Sequence, residues 1–253
     1  MAWDIFRPRC SCPVSPEEKA WMEGRFSWLS GEFGIDRLRS APVILPSPRC
    51  FPDPYHGRPE DLTPLFVRVC GYLGLDPGRF ELRLYSEADR PRLEDEGGRP
   101  IGGTAGLYQG GARPVIWVEY SQLADPPALV ATLIHEACHD LLLGQGRLRG
   151  DEEDHEFVTD LLTVYLGLGV ITANSTIREA YWTSGNVSGW RIGRQGYLTQ
   201  PMYGYALALF AWVRGERKPP WAGEIRPDVR VPFRAGLRYL TETGDTQSRT
   251  ARP

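Results

Sequence analysis

Residues 133–140 read Leu-Ile-His-Glu-Ala-Cys-His-Asp, which puts His135 and His139 four positions apart with Glu136 beside the first. On a helix, side chains at i and i+4 lie one turn apart on one face, where both imidazoles reach a single ion at about 2.0–2.1 Å. Such an ion, Zn2+ by ligand type, lowers the pKa of a bound water. Glu136 is then placed to take the proton and return it to a leaving amine. Iron also accepts two histidines and a carboxylate, but a glutamate base next to the first histidine favours zinc. Two histidines and a water leave a tetrahedral zinc one protein ligand short.

The missing ligand does not follow at the short metzincin spacing, which would need a glycine at 142 and a histidine at 145, where the chain has Leu142 and Gln145. The donors lie downstream in Asp151-Glu-Glu-Asp-His-Glu-Phe-Val-Thr-Asp160. Glu156 and Asp160 stand one helical turn apart in an otherwise apolar helix. Glu156 is expected to bind the ion while Asp160 accepts the distal N–H of a ligating histidine, His135 for preference. Glu153, Asp154 and His155 compete for the third place. His155 is the serious rival, but its helix phase would leave Glu156 and Asp160 without a shared task. HExxH on one helix followed by ExxxD on the next resembles the gluzincin class of zinc metallopeptidases. The resemblance covers roughly residues 80–170 and implies a thermolysin-like catalytic core acting on a peptide or protein substrate. It gives zinc as cofactor, His135, His139 and Glu156 as ligands, Glu136 as catalytic base and Asp160 behind a ligand. The first and last quarters of the chain resemble no characterised peptidase. A zinc site that only staples two helices would have no use for Glu136, and a chain of 253 residues needs no staple.

Further chemistry is less sharply marked. Tyr197, Tyr203 and Tyr205 surround a glycine-bearing stretch, and one hydroxyl there is expected to stabilise the oxyanion formed when water attacks a carbonyl; Tyr203 is taken as that catalytic residue. Packing is the competing reading for each tyrosine. Arg191 and Arg194 are candidates to clamp a substrate carboxylate, against the plainer reading of solvated loop charges. The glycine-rich run 102–111 suits an edge strand to which an extended peptide adds, and lacks the lysine and serine of a phosphate-binding loop. Cys10 and Cys12 would be half of a zinc knuckle only with a second pair, so two free thiols are expected.

Around these residues the sequence predicts an α+β, zincin-like core. A small, mainly antiparallel sheet packs on the HExxH helix and the following glutamate-bearing helix, with flanking helices added. Asp125-Pro126-Pro127 caps the HExxH helix, which is expected to run to about Leu143, where Gly144 and Gly146 stop it. The glutamate-bearing helix is expected over 151–169. Strands are expected where Phe80, Leu82 and Leu84 alternate with polar residues, within 102–111 as a hairpin partner, and at Val115–Tyr120. Helices are expected from a capping box at Ser15–Glu18 to Leu29, over 62–73 before Gly74, over 202–214, and over 233–240; residues 174–200 read as irregular. The predicted organisation is an N-terminal arm with helices over 1–75, a catalytic domain over 76–240, and a disordered tail over 241–253.

Composition narrows the partners. A hydrophobic share of 42%, a charged share of 24% and a formal charge of -3 describe an ordinary globular chain with no footprint for nucleic acid. No apolar run reaches signal-peptide or membrane-span length, so no membrane partner is expected. Five cysteines without a paired framework fit a reducing compartment, and the chain is expected in the cytoplasm. The expected activity is zinc-dependent peptide-bond hydrolysis. The same metal site acting on a non-protein amide or small molecule, or a silent zincin-fold binding protein, are the alternatives.

Overall fold

The computed structural model describes residues 10–89, 106–184, 187–194 and 196–248. In chain order its elements begin with α1 (Pro16–Phe33), α2 (Ile35–Ser40), α3 (Leu62–Leu73), β1 (Glu81–Tyr85), β2 (Gly106–Gln109) and β3 (Val115–Glu119). There follow α4 (Pro126–His139), α5 (His155–Tyr165), α6 (Gly169–Asn174), β4 (Ile177–Ser184), β5 (Val187–Arg194), α7 (Gln200–Val213) and α8 (Pro227–Thr243). They fall into two compact units. One joins both chain ends, Met1–Ala41 with Thr199–Pro253; the other is Pro42–Leu198.

The unit built from the chain ends is helical. Ser15 starts α1 with the expected capping box: its hydroxyl accepts from the Glu18 amide at 3.1 Å, and Glu18 accepts from the Ser15 amide at 2.9 Å. Thr199 caps α7, which is apolar on nearly every face and buried along its length. Gly204 makes that burial fit, because a Cβ there would stand 2.7 Å from the Phe233 amide nitrogen and 2.8 Å from Pro232. Pro232 lies inside α8, so the two helices meet closely where one lacks a side chain and the other lacks an N–H. α8 runs past Leu240 to Thr243, and beyond it the Gln247 amide donates to Glu23 at 3.0 Å. Buried Glu23 also accepts from the Tyr205 hydroxyl at 2.7 Å and pairs with Lys19 at 3.2 Å.

The other unit combines helices with a small three-stranded sheet of order β1-β3-β2. β2 and β3 form the expected antiparallel pair, with Tyr108 opposite Ile116. β1, however, joins β3 in parallel, Leu82 opposite Ile116, so the sheet is mixed rather than mainly antiparallel. Alternating burial identifies a strand but carries no information on its direction. β3 occupies the centre, with Ile116 and Val118 fully buried. α4 is apolar around most of its circumference and fills the space beside the sheet, with Leu129, Leu133, Ile134, Ala137 and Cys138 inaccessible. Asp125 caps it through the Ala128 amide at 3.2 Å.

Past His139 the backbone widens into a single π-helical turn over 140–144, closed by the Gln145 amide on the Asp140 carbonyl at 2.9 Å. The next helix starts at His155, four residues later than expected. The acidic stretch before it forms turns instead, with Arg149 bound to Asp151 and its amide bound to Glu152. Residues 177–184 and 187–194, expected to be irregular, pair as the antiparallel strands β4 and β5. The side chains of Arg191 and Arg194, and residues 102–105 of the glycine-rich run, lie outside the described residues.

Candidate metal centre

α4 supplies two imidazoles and α5 a carboxylate to one point. His135 Nε2 lies 3.1 Å and His139 Nε2 3.3 Å from the same Glu156 oxygen, Oε2, and one ligand atom from each of the three residues lies within 4.8 Å of the others. Ligands standing about 2.0–2.1 Å from a tetrahedral zinc are separated by about 3.3 Å, so these two contacts have the length of tetrahedral edges. Among the described residues this is the one group of three or more potential donors close enough to hold an ion. Two nitrogens and one oxygen suit zinc, and the residues fit it by donor type as well as spacing.

Each histidine is tied down on the side away from that point. His135 Nδ1 is 2.9 Å from Asp160 Oδ1, so the carboxylate takes the Nδ1 hydrogen and leaves the Nε2 lone pair for a metal. His139 Nδ1 is 3.3 Å from the Thr159 hydroxyl, whose single hydrogen goes to the His155 carbonyl at 2.8 Å. The hydroxyl oxygen therefore accepts from His139 Nδ1, which frees its Nε2 in the same way. Burial disfavours a charged His135, yet its hydrogen bonds to Asp160 and Glu156 outweigh burial and raise its pKa well above the ordinary value. Burial likewise works against ionised Glu156, but the neighbouring His139 charge and bonds from His135, His139 and His155 hold it well below the carboxylate range.

His155, the rival third ligand, borders the triad without joining it. Its Nδ1 meets the Glu152 carbonyl at 2.8 Å, and its Nε2 lies 3.4 Å from the outer Glu156 oxygen, Oε1. Glu136 is buried beside the triad, and burial raises its carboxyl pKa. β2 runs directly against it: a Cβ on Gly106 would stand 2.7 Å from Glu136 Oε1 and 2.5 Å from Thr132 Cγ2. Only glycine allows the strand so close to the carboxylate.

Tyr203 is buried on α7 in the helical unit. Of the three tyrosines singled out in the sequence, the one in the triad's own unit is Tyr197. Its amide donates to Asp160 Oδ2 at 2.6 Å, and the Leu198 amide donates to the same oxygen at 3.0 Å. Asp160 thus holds both a histidine and the segment that carries Tyr197. The Tyr197 ring lies along His135 at 6.0 Å and 20°, and Glu156 is among the groups that act on its hydroxyl. Burial, then the charges of Glu156 and Glu136, raise its pKa.

Three residues of the site's surroundings carry no mark in the two motifs. Thr159 sits one position before Asp160, and Asp140 directly follows His139, so an inspection of motif neighbours would have found both. Tyr108 is reached only through the fold, from β2. Comparison with protein-family models, with curated proteins and with solved structures returns no match.

Proposed function

We propose that the chain is a zinc-dependent hydrolase of peptide bonds. The observation that carries the reading is the convergence of His135 Nε2, His139 Nε2 and Glu156 Oε2, with Glu136 buried alongside them. Zinc, when bound, supplies a Lewis acid that acidifies a water and polarises a carbonyl. Glu136 takes the water's proton, and its raised pKa makes it a stronger base than an exposed glutamate. The same carboxyl then passes that proton to the departing amine. Tyr197 supplies a hydroxyl to the oxygen on which negative charge develops.

The choice of a peptide over another amide is supported by β2. Among the described residues this strand pairs on one side only, with β3, and it passes against Glu136 at Gly106. An extended substrate adding to its open side gains backbone hydrogen bonds in register with the base.

The test compares wild type with Glu136→Gln for metal content and for cleavage of a mixed peptide library. About one zinc per chain in both proteins, with cleavage only in wild type and a loss on the order of 100-fold or more, supports the reading. Zinc without cleavage in wild type transfers the site to a non-protein amide or to a binding role. Absence of stoichiometric metal from protein prepared without chelator overturns it.

A further inference from the structure

We propose that Tyr108 is a positioning residue for His139, anchored by the buried Asp140 and its more exposed partner Arg79, so that strand β2 sets the orientation of a metal ligand. The inference rests on the metal-centre reading given above. The two histidines are unequally held. His135 has a carboxylate behind it, whereas His139 has only the Thr159 hydroxyl at 3.3 Å. One hydrogen bond fixes the direction of a ring nitrogen but leaves the ring plane free to turn about it. The Tyr108 ring supplies the second constraint, lying along the His139 ring at 5.9 Å and 26°.

Tyr108 is itself fixed at its far end. Its hydroxyl donates to Asp140 Oδ1 at 3.2 Å, and Asp140, the residue after His139, is 0% exposed. A carboxylate at that depth is costly unless its oxygens are met by donors. Arg79 meets both, Nη1 at 3.3 Å from Oδ2 and Nη2 at 3.5 Å from Oδ1, and Gln145 Nε2 approaches Oδ2 at 3.5 Å. The π-helical turn is shaped to this pair: a Cβ on Gly144 would stand 2.5 Å from the Tyr108 hydroxyl and 2.6 Å from Asp140 Oδ1. Arg79 just ahead of β1, Tyr108 on β2 and Asp140 at the end of α4 therefore form one strut ending on the imidazole.

The test measures zinc affinity by chelator competition, and unfolding of the metal-free protein, for wild type, Tyr108→Leu, Tyr108→Phe and Asp140→Asn. The expected result is a 10- to 100-fold weaker zinc affinity, about the size found for partners that orient a ligand, when Leu removes the ring. Smaller losses are expected when Phe or Asn only loosens its anchor. The visible spectrum of the cobalt(II)-loaded variants should shift with the altered ligand geometry. Lower unfolding midpoints with unchanged zinc affinity and an unchanged cobalt spectrum would show that the strut serves the fold alone and overturn the proposal. Should Tyr108→Leu fail to fold, the near-isosteric Phe and Asn variants carry the decision. Neither readout uses peptide cleavage, so a wild type that binds zinc without cutting peptides leaves this proposal standing, while one that binds no zinc overturns both.

Discussion

A carboxylate behind one imidazole and a hydroxyl behind the other determine which nitrogen each ring presents. Without metal, hydrogen bonds to Asp160 and Glu156 make His135 hold its second proton more tightly than a free imidazole does. A metal binding at Nε2 would displace that proton. Metal binding is expected to release protons at pH 7 and to weaken as pH falls, which calorimetry in buffers of different ionisation enthalpy will report. For the metal-free chain the sign reverses: the raised value stabilises the fold fully below 6.5, and that contribution fades as pH rises through the folded value. Tyr197→Phe removes the hydroxyl beside Glu156 while keeping the ring on His135. A fall in kcat of roughly 100- to 1000-fold with bound zinc retained is expected from steady-state kinetics and metal analysis. His135 and His139 were legible as a pair because helix periodicity alone brings i and i+4 together. Tyr197 was not separable from Tyr203, because its place is set by an amide bonded to Asp160, 37 residues earlier in the chain.

Helices with chemical caps were readable to within a few residues, as Ser15 and Asp125 illustrate. Strand direction and the widened turn were not. Parallel pairing of β1 with β3 depends on the route of the chain between them, and the turn over 140–144 depends on what surrounds Asp140. Hydrophobic periodicity encodes neither. The same contrast applies to Gly106, which reads in sequence as one glycine among many and in the fold as the contact between β2 and the base. Gly106→Ala is expected to push β2 off α4, because its new Cβ would stand 2.5 Å from Thr132 Cγ2. Cleavage should fall at least tenfold, by about 1.4 kcal/mol of transition-state stabilisation, and zinc affinity should weaken with it because Tyr108 moves with the strand. Unchanged cleavage would show that β2 accepts the Cβ without moving.

At the scale of the whole molecule, the triad joins helices α4 and α5 at a point that could hold an ion. No helix among the described residues is long and apolar enough to cross a membrane. Zinc at 100 times its dissociation constant is expected to add about 2.7 kcal/mol to the stability of the unit that binds it. Differential scanning calorimetry should show a higher Tm with zinc and a lower one with chelator, and an unmoved transition would contradict a site between packed helices. The division of the chain bears on how the protein is made. Residues 42–198 form one unit, while the other waits for Thr199 onward before α1 has α7 beside it. At a ribosomal pace of about 5–20 residues per second, the last 50 or so residues take about 3–10 s to appear. During that interval the unit carrying the His135, His139 and Glu156 triad is already synthesised, but Met22, Phe26 and Leu29 of α1 are nascent apolar surface without their final cover. Early chaperone contacts are therefore expected to concentrate at the N-terminus, far along the sequence from the residues that complete its fold.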